Sequence, residues 1–359
     1  MLSRIWLIEL IKLFDRLNLV NPINFINHST MNIPFEKLKS EFKRILLSLD
    51  FNAEDAELSA TIFAQNSRDG VYTHGLNRFP TFVDYVKNKL IIPNVKPTRT
   101  GGFDAIEQWD GHMGVGTLNA TFCMHRAISL AHEYSIGCVA IKNTNHWMRG
   151  GTYGWQAAEA GMIGICFTNT IANMPPWGGI DPRLGNNPLV IAVPRQGGHI
   201  VLDMAISQYS FGKLNLYKSK NEQLPLPGGY DKDGKLTTDP GEIIDSVRPL
   251  PIGFWKGSGL SLMLDLLAAV LSQGRTTGDV TKGGSESGVS QVFICIKPDN
   301  GPQTDAIIKN ILDYTKSSRT EGEGKEILYP GENTLRIRKK SMEEGVWVDD
   351  KIWEKVLSL

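Results

Sequence analysis

The sequence predicts an α/β fold, and three observations carry that reading. Amphipathic helical spacing dominates residues 35–89, short apolar runs alternate with helical stretches from about residue 105, and no repeat or long low-complexity tract breaks the pattern. At 359 residues and 41% hydrophobic content, the chain can bury one large core or two smaller ones.

The elements follow in order. In residues 1–30 the apolar side chains Ile5, Trp6, Leu7, Ile8, Leu10 and Ile11 are interrupted by Glu9, Lys12, Asp15 and Arg16. That stretch is too short and too charged to span a membrane, and it lacks the small-residue cleavage site of a signal peptide. It reads as an upstream extension outside the fold, with Met31 as the functional start. Phe35, Leu38, Phe42, Ile45 and Leu49 step by three and four, and a second helical stretch begins behind Asn52 with Glu54 and Asp55 in its first turn. Residues 79–89 form a third helix, stopped at Pro93.

Beyond residue 105 the spacing predicts strands over 105–109, 137–141, 162–167, 189–193, 200–203 and 292–296. Between them lie helices over 118–132, 155–160, 260–271 and 305–316. A polar stretch, 317–324, follows. The tail, with Val346, Val348, Ile352, Trp353, Val356 and Leu357, packs back on the body.

Composition narrows the function classes. The 38 basic residues balance the 38 acidic ones, and Lys and Arg cluster only briefly near residue 338, which argues against a nucleic-acid partner. Cys123, Cys138, Cys166 and Cys295 lie far apart in apolar surroundings without a CxxC pair, as buried thiols in a reducing compartment do, so the cytoplasm is the expected location. HExxH, CxxC and clustered carboxylate ligands are missing, so no metal site is expected. Neither GxGxxG nor GxxxxGK[ST] occurs, and Ser258 and Ser285 do not sit in GxSxG.

The chemistry-bearing segments are polar and punctuated by Gly or Pro. His74 and Arg78 stand four residues apart in Gly70-Val71-Tyr72-Thr73-His74-Gly75-Leu76-Asn77-Arg78. On a helix that spacing puts a proton donor and a carboxylate-binding fork on one face, although a surface pair flanking a helix start has the same spacing. His146, after an apolar strand, points into a cleft or caps the next helix. Lys256, just before the Leu-rich helix, faces a ligand or solvates the helix start. Asp203, closing an apolar strand, is a site residue or a helix N-cap.

Taken together these segments resemble the malate/L-lactate dehydrogenase family of nicotinamide oxidoreductases, which lacks the usual Rossmann fold. The matching pieces are Tyr72-Thr73-His74-Gly75 with Arg78, Asn143-Thr144-Asn145-His146, Pro176-Trp177-Gly178-Gly179, Asn187-Pro188, Asp203-Met204-Ala205 with Ser207 and Gly212-Lys213, and Lys256-Gly257. They run from Met31 to the C-terminus.

The resemblance implies an atypical, non-Rossmann dinucleotide-binding sheet domain over 105–301. A helical domain for substrate binding and dimerisation would then be built from 31–104 with 302–359. It implies His74 as proton donor to a substrate carbonyl, with Arg78 and His146 binding or polarising the substrate. NADH, rather than NADPH, would be held by His199, Ile200, Val201, Leu202, Asp203, Met204 and Ala205, by Trp255 and Lys256, and by Gly331, Glu332 and Asn333. The expected substrate is a small keto acid, a 2,3-diketo sugar acid, with residues 168–170 and 147–149 lining its pocket. The alternatives within the family are another small 2-hydroxy acid (malate, lactate, ureidoglycolate) or a cyclic imine. A homodimer with no membrane partner completes the expectation.

Overall fold

The computed structural model describes residues 30–299 and 301–359, so the expectation for residues 1–29 lies outside the described residues. Strand β1 (Thr30–Ile33) leads into α1 (Phe35–Ser48) and α2 (Ala53–Arg68). Leu38, Phe42 and Ile45 line the buried face of α1, as their spacing requires. Helix α2 is capped by the Asn52 side chain, which accepts the Asp55 N–H at 2.9 Å. Residues 70–78 are not a helix: two single 3₁₀ turns, Tyr72–His74 and Leu76–Arg78, are separated by Gly75, and α3 (Phe79–Lys87) follows.

The sheet region alternates as β2 (Thr98–Gly101), β3 (Ile106–Asp110), α4 (Gly116–Tyr134), β4 (Ile136–Asn145), α5 (Gly151–Glu159), β5 (Ile163–Thr168), β6 (Leu189–Val193) and β7 (Ile200–Met204). A small unit that the sequence pattern did not resolve comes next: α6 (Phe211–Ser219), β8 (Gly229–Tyr230), β9 (Leu236–Thr237) and α7 (Pro240–Ser246), closed over Leu214, Leu224 and Ile243. Then come α8 (Trp255–Ser272), α9 (Thr277–Lys282), β10 (Ser287–Ile296), α10 (Pro302–Lys316), α11 (Glu332–Glu344), β11 (Val346–Asp349) and α12 (Asp350–Leu357).

Seven strands form one mixed sheet in the order β2-β3-β4-β10-β5-β6-β7. Only β3 and β4 pair in parallel; β10 runs antiparallel to both β4 and β5, and β6 antiparallel to both β5 and β7. Consequently β3, β4, β5 and β7 all run the same way. Helices α4 and α5 are therefore genuine crossovers, which explains the α/β rhythm of the sequence. The carboxyl ends of these strands and the start of β10 share one edge of the sheet, the edge where open α/β sheets collect ligands.

Alternation along the central strands sorts side chains into two layers. Val139, Ile141, Phe293 and Cys295 face α4 and α5, whereas Ala140, Phe167 and Val292 face α8 with Leu264 and Ala268. The two chain ends build another core. β1 pairs with β11, Ile33 opposite Val346, and Trp353 and Val356 of α12 pack with Phe42, Phe63 and Phe79. Phe79 packs tilted against Phe42 at 4.3 Å and edge-to-face against Phe63 at 5.0 Å between ring centroids.

Among the described residues no helix is long and apolar enough to cross a membrane. The four cysteines are unpaired, and burial raises the thiols of Cys138 to about 11 and Cys295 to about 12.

Candidate active site

The last turn of α2 organises the His74 segment with buried polar groups. Asn66 donates to the His74 carbonyl at 2.9 Å and accepts from Thr152 Oγ1 of α5 at 2.9 Å. Ser67 Oγ accepts the Leu76 N–H at 2.9 Å. Gly75 is required between them, because a Cβ there would lie 2.2 Å from Ser67 Oγ and 2.7 Å from Ser67 N. This close approach breaks the helix that the His74–Arg78 spacing suggests. The two side chains nevertheless converge: the His74 and His146 rings stack at 5.7 Å with a 21° interplanar angle, and Arg78 and His146 line one recess with Phe82, Tyr85 and Met148.

His146 follows β4 directly. Its Nδ1 accepts the Met148 N–H at 2.9 Å, which leaves the proton of the neutral ring on Nε2. Met148 pays for this turn with a left-handed backbone, φ 64°. Thr73 Oγ1 lies 3.0 Å from His74 Nδ1, so Nε2 is the free nitrogen of that ring. Arg78 has no carboxylate or carbonyl partner among the described residues.

Arg149, by contrast, is ion-paired. Its Nη1 donates to buried Asp69 at 2.7 Å, and its Nε lies 3.8 Å from Asp203. Asp69 also receives Arg338 of α11 through two hydrogen bonds of 2.9 and 2.8 Å and Arg68 at 2.8 Å. Burial would raise this carboxyl; the Arg338 hydrogen bonds, with the charges of Arg149 and Arg68, hold it below the usual range. The Asp69 cluster thus ties α2, the β4–α5 connection and α11 together behind His74.

These charges act on the imidazoles. Burial lowers the pKa of His74; Asp203 opposes that shift, while Arg78 and Arg149 reinforce it. Burial lowers His146 further still, with Arg78 and His74 adding to the effect, so both rings are biased toward the neutral form and His146 more strongly than His74.

The remaining sequence-predicted residues lie along β7, an edge strand, and its flanks. His199 precedes it, Ile200, Val201, Leu202, Asp203 and Met204 form it, and Ala205 follows. The Val201 N–H donates to Pro330 O at 3.0 Å, which seats the Gly331, Glu332 and Asn333 turn against the first half of the strand. Gly331 is needed there on two counts, a φ of 94° and a Cβ position 3.1 Å from Val201 N. At the other end, Ile252 N–H donates to Ile206 O at 2.8 Å, which brings the start of α8 close. Trp255, 65% exposed, and Lys256 lie inside that helix rather than ahead of it, and the Lys256 ammonium has no partner among the described residues. Asp203 does cap a helix, but the distant α5, accepting the Gly151 N–H at 2.8 Å.

The family model for malate/L-lactate dehydrogenase matches residues 33–357. The chain belongs to the malate/L-lactate dehydrogenase family. It is 45% identical to 2,3-diketo-L-gulonate reductase of Escherichia coli over 333 residues, 92% of this chain and all of that protein. Among solved structures, malate dehydrogenase from Entamoeba histolytica superposes with a TM-score of 0.86 at 25% identity, covering 92% of this chain and 98% of that one. Sulfolactate dehydrogenase from Methanocaldococcus jannaschii gives 0.82 at 30% identity, with the same coverage. Family membership makes the chain an oxidoreductase and implies a nicotinamide dinucleotide cofactor.

The residues present fit such a cofactor. The second half of the β7 edge offers backbone groups, the exposed Lys256 ammonium is a cation without a partner among the described residues, and Arg195 Nη1 is a buried donor without a partner.

Two expectations about the substrate pocket are corrected. Thr168, Asn169 and Thr170 are buried structural ties: Asn169 bonds Asp265 at 2.9 Å and the Ser290 N–H at 2.8 Å, and Thr170 N–H donates to Asn187 at 3.0 Å. Trp147 packs in the core against Tyr153 and Phe293, and Arg149 is held by Asp69, so only Met148 of that triplet reaches the recess. Asp69 is the residue behind the site that sequence reasoning missed. Nothing in the local pattern distinguishes Asp69 from an exposed helix end.

Proposed function

We propose that the chain reduces 2,3-diketo-L-gulonate to 3-keto-L-gulonate with NADH, using His74 as general acid. The observation that carries this reading is the stacked His74–His146 pair beside an unpartnered Arg78 at the carboxyl ends of the sheet strands. The 45% identical relative with that activity in its name supports the choice of substrate.

The reducible ketone of this substrate is next to its carboxylate. Arg78 takes the carboxylate in a planar two-pronged grip, which converts binding energy into orientation. Neutral His146 donates from Nε2 to a substrate oxygen. When bound, NADH supplies the hydride to the ketone carbon; His74 Nε2–H delivers the proton to the oxygen, yielding the alcohol and a neutral imidazole. Asp203 favours the protonated form of His74 before transfer, and a carboxylate on Arg78 cancels the charge that disfavours it.

NADH over NADPH is supported by the cations near Gly331–Asn333: Lys316 is paired with Glu332 at 2.6 Å, and Arg336 with Glu326 and Glu332. A homodimer is supported by the exposed apolar face of α8, with Leu262, Met263, Leu266 and Val270 each about half exposed. The unpaired thiols support the cytoplasm.

The test is a panel of diketogulonate, oxaloacetate, pyruvate and piperideine carboxylate, followed by NADH absorbance. Diketogulonate should give the highest kcat/KM, and His74→Ala should lower kcat by about 10²- to 10⁴-fold while NADH affinity holds. Parental turnover in His74→Ala would remove His74 from the mechanism, and preference for another acid would replace the substrate.

A further inference from the structure

We infer that Glu286 is a specificity residue of this site, one that accepts hydrogen bonds from the hydroxyl groups of a polyhydroxylated keto acid and repels a second carboxylate. The inference rests on the proposed substrate and deepens it. Its basis is the sheet topology. β10 runs antiparallel to β4 with Ser287 opposite Asn145, so one step further out Glu286 stands across from His146, beyond the paired ends of both strands. The two residues share the edge where the carboxyl ends of β4, β5 and β7 gather.

Three further observations make Glu286 a ligand-facing group rather than a structural one. Its carboxyl is only partly exposed, yet it has no hydrogen-bond or ion-pair partner among the described residues. It lies in the field of Arg78, whose charge opposes the upward shift that burial imposes. Finally, its carrier is a Gly-rich loop with left-handed backbone at Gly284 and Gly288, φ 74° and 69°, a tight connection that leads into β10.

Beside the histidine pair, among the described residues, Arg78 is therefore a cation without a partner and Glu286 a carboxyl without one. Arg78 can satisfy a single substrate carboxylate. A dicarboxylate would bring its second charge toward Glu286, where like charges at short range in a partly desolvated site repel strongly. A hydroxyl in the same place donates to Glu286 instead, and a charged acceptor makes the stronger kind of hydrogen bond. Glu286 thus separates a sugar acid from oxaloacetate by charge rather than size.

The experiment compares parent, Glu286→Gln and Glu286→Ala by kcat and KM for diketogulonate, oxaloacetate and pyruvate, and by the inhibition constant of non-reducible L-gulonate. In both variants KM for diketogulonate and the gulonate inhibition constant should rise roughly tenfold or more. Over the same change kcat should move less, pyruvate should be unaffected, and kcat/KM for oxaloacetate should increase. A uniform fall on all three acids would assign Glu286 a structural role, and no change would remove it from the site; either overturns the inference. A parent that ignores diketogulonate rejects the proposed function separately, since the gulonate inhibition constant still reads whether Glu286 engages hydroxyls.

Discussion

The His74 segment and the start of α8 are built on opposite principles. On the His74 side, buried hydrogen bonds and ion pairs hold the segment: Asn66 and Ser67 fix the backbone, and Asp69 gathers three arginines. On the α8 side, Trp255 and Lys256 are exposed, Phe254 sits at an unusual φ of 60°, and Trp177 leans on it at 5.2 Å. The proposed acid is therefore positioned by the protein's own groups, whereas the start of α8 keeps exposed groups without partners among the described residues. Preorganisation is concentrated where a proton must be aimed, and openness where a large ligand must enter and leave.

The contrast can be broken from either side. Asp69→Asn leaves three arginines around an uncharged amide, with Arg149 almost fully buried. Removing one partner of such a buried pair costs about 3–5 kcal/mol, so the urea midpoint should fall steeply and activity should fall with it. An unchanged midpoint would mean the cluster is not what fixes the His74 segment. Lys256→Ala should do the reverse. The folding midpoint stays where it was, and NADH binding, followed by fluorescence titration, weakens roughly ten- to hundredfold. Equal affinity in that variant would take Lys256 out of the cofactor track.

The smallest effect is a shift in pH dependence. With His74 as the proposed acid, reduction needs its protonated form, so activity is expected below the pKa of that group and lost as pH rises through it. Asp203 raises that pKa against burial and the two arginines. Asp203→Asn retains an acceptor for the Gly151 N–H but removes the charge, so the loss of kcat/KM should move to lower pH. A profile identical to the parent would show that Asp203 does not set the acid strength of His74.

Much of this was legible in the sequence. Helices α1 and α2 follow from apolar spacing, and the strands β5, β6 and β7 from short apolar runs at nearly their observed limits. The His74, Arg78 and His146 cluster was visible as residues but not as geometry. Local spacing suggested one helix face, while the real juxtaposition depends on Gly75 fitting against Ser67, a contact between segments. The cofactor stretch expected at β7 has no signal in the pattern, because β7 looks like any apolar strand; that expectation rests on the family resemblance. Asp69 was invisible for a related reason. A polar run at a helix end normally faces water, and only the later arrival of Arg149 and Arg338 makes it a buried hub.

The placement of β10 also has a consequence for how the molecule assembles. It sits between β4 and β5, pairing Ser287 with Asn145 and Gln291 with Thr168, more than a hundred residues apart in each case. As the chain leaves the ribosome, β4 and β5 emerge long before the strand that joins them, each carrying an unpaired apolar edge. Sheet closure is therefore a late, non-local event with high contact order, and the interval before residue 296 is when this protein is most exposed to mispairing.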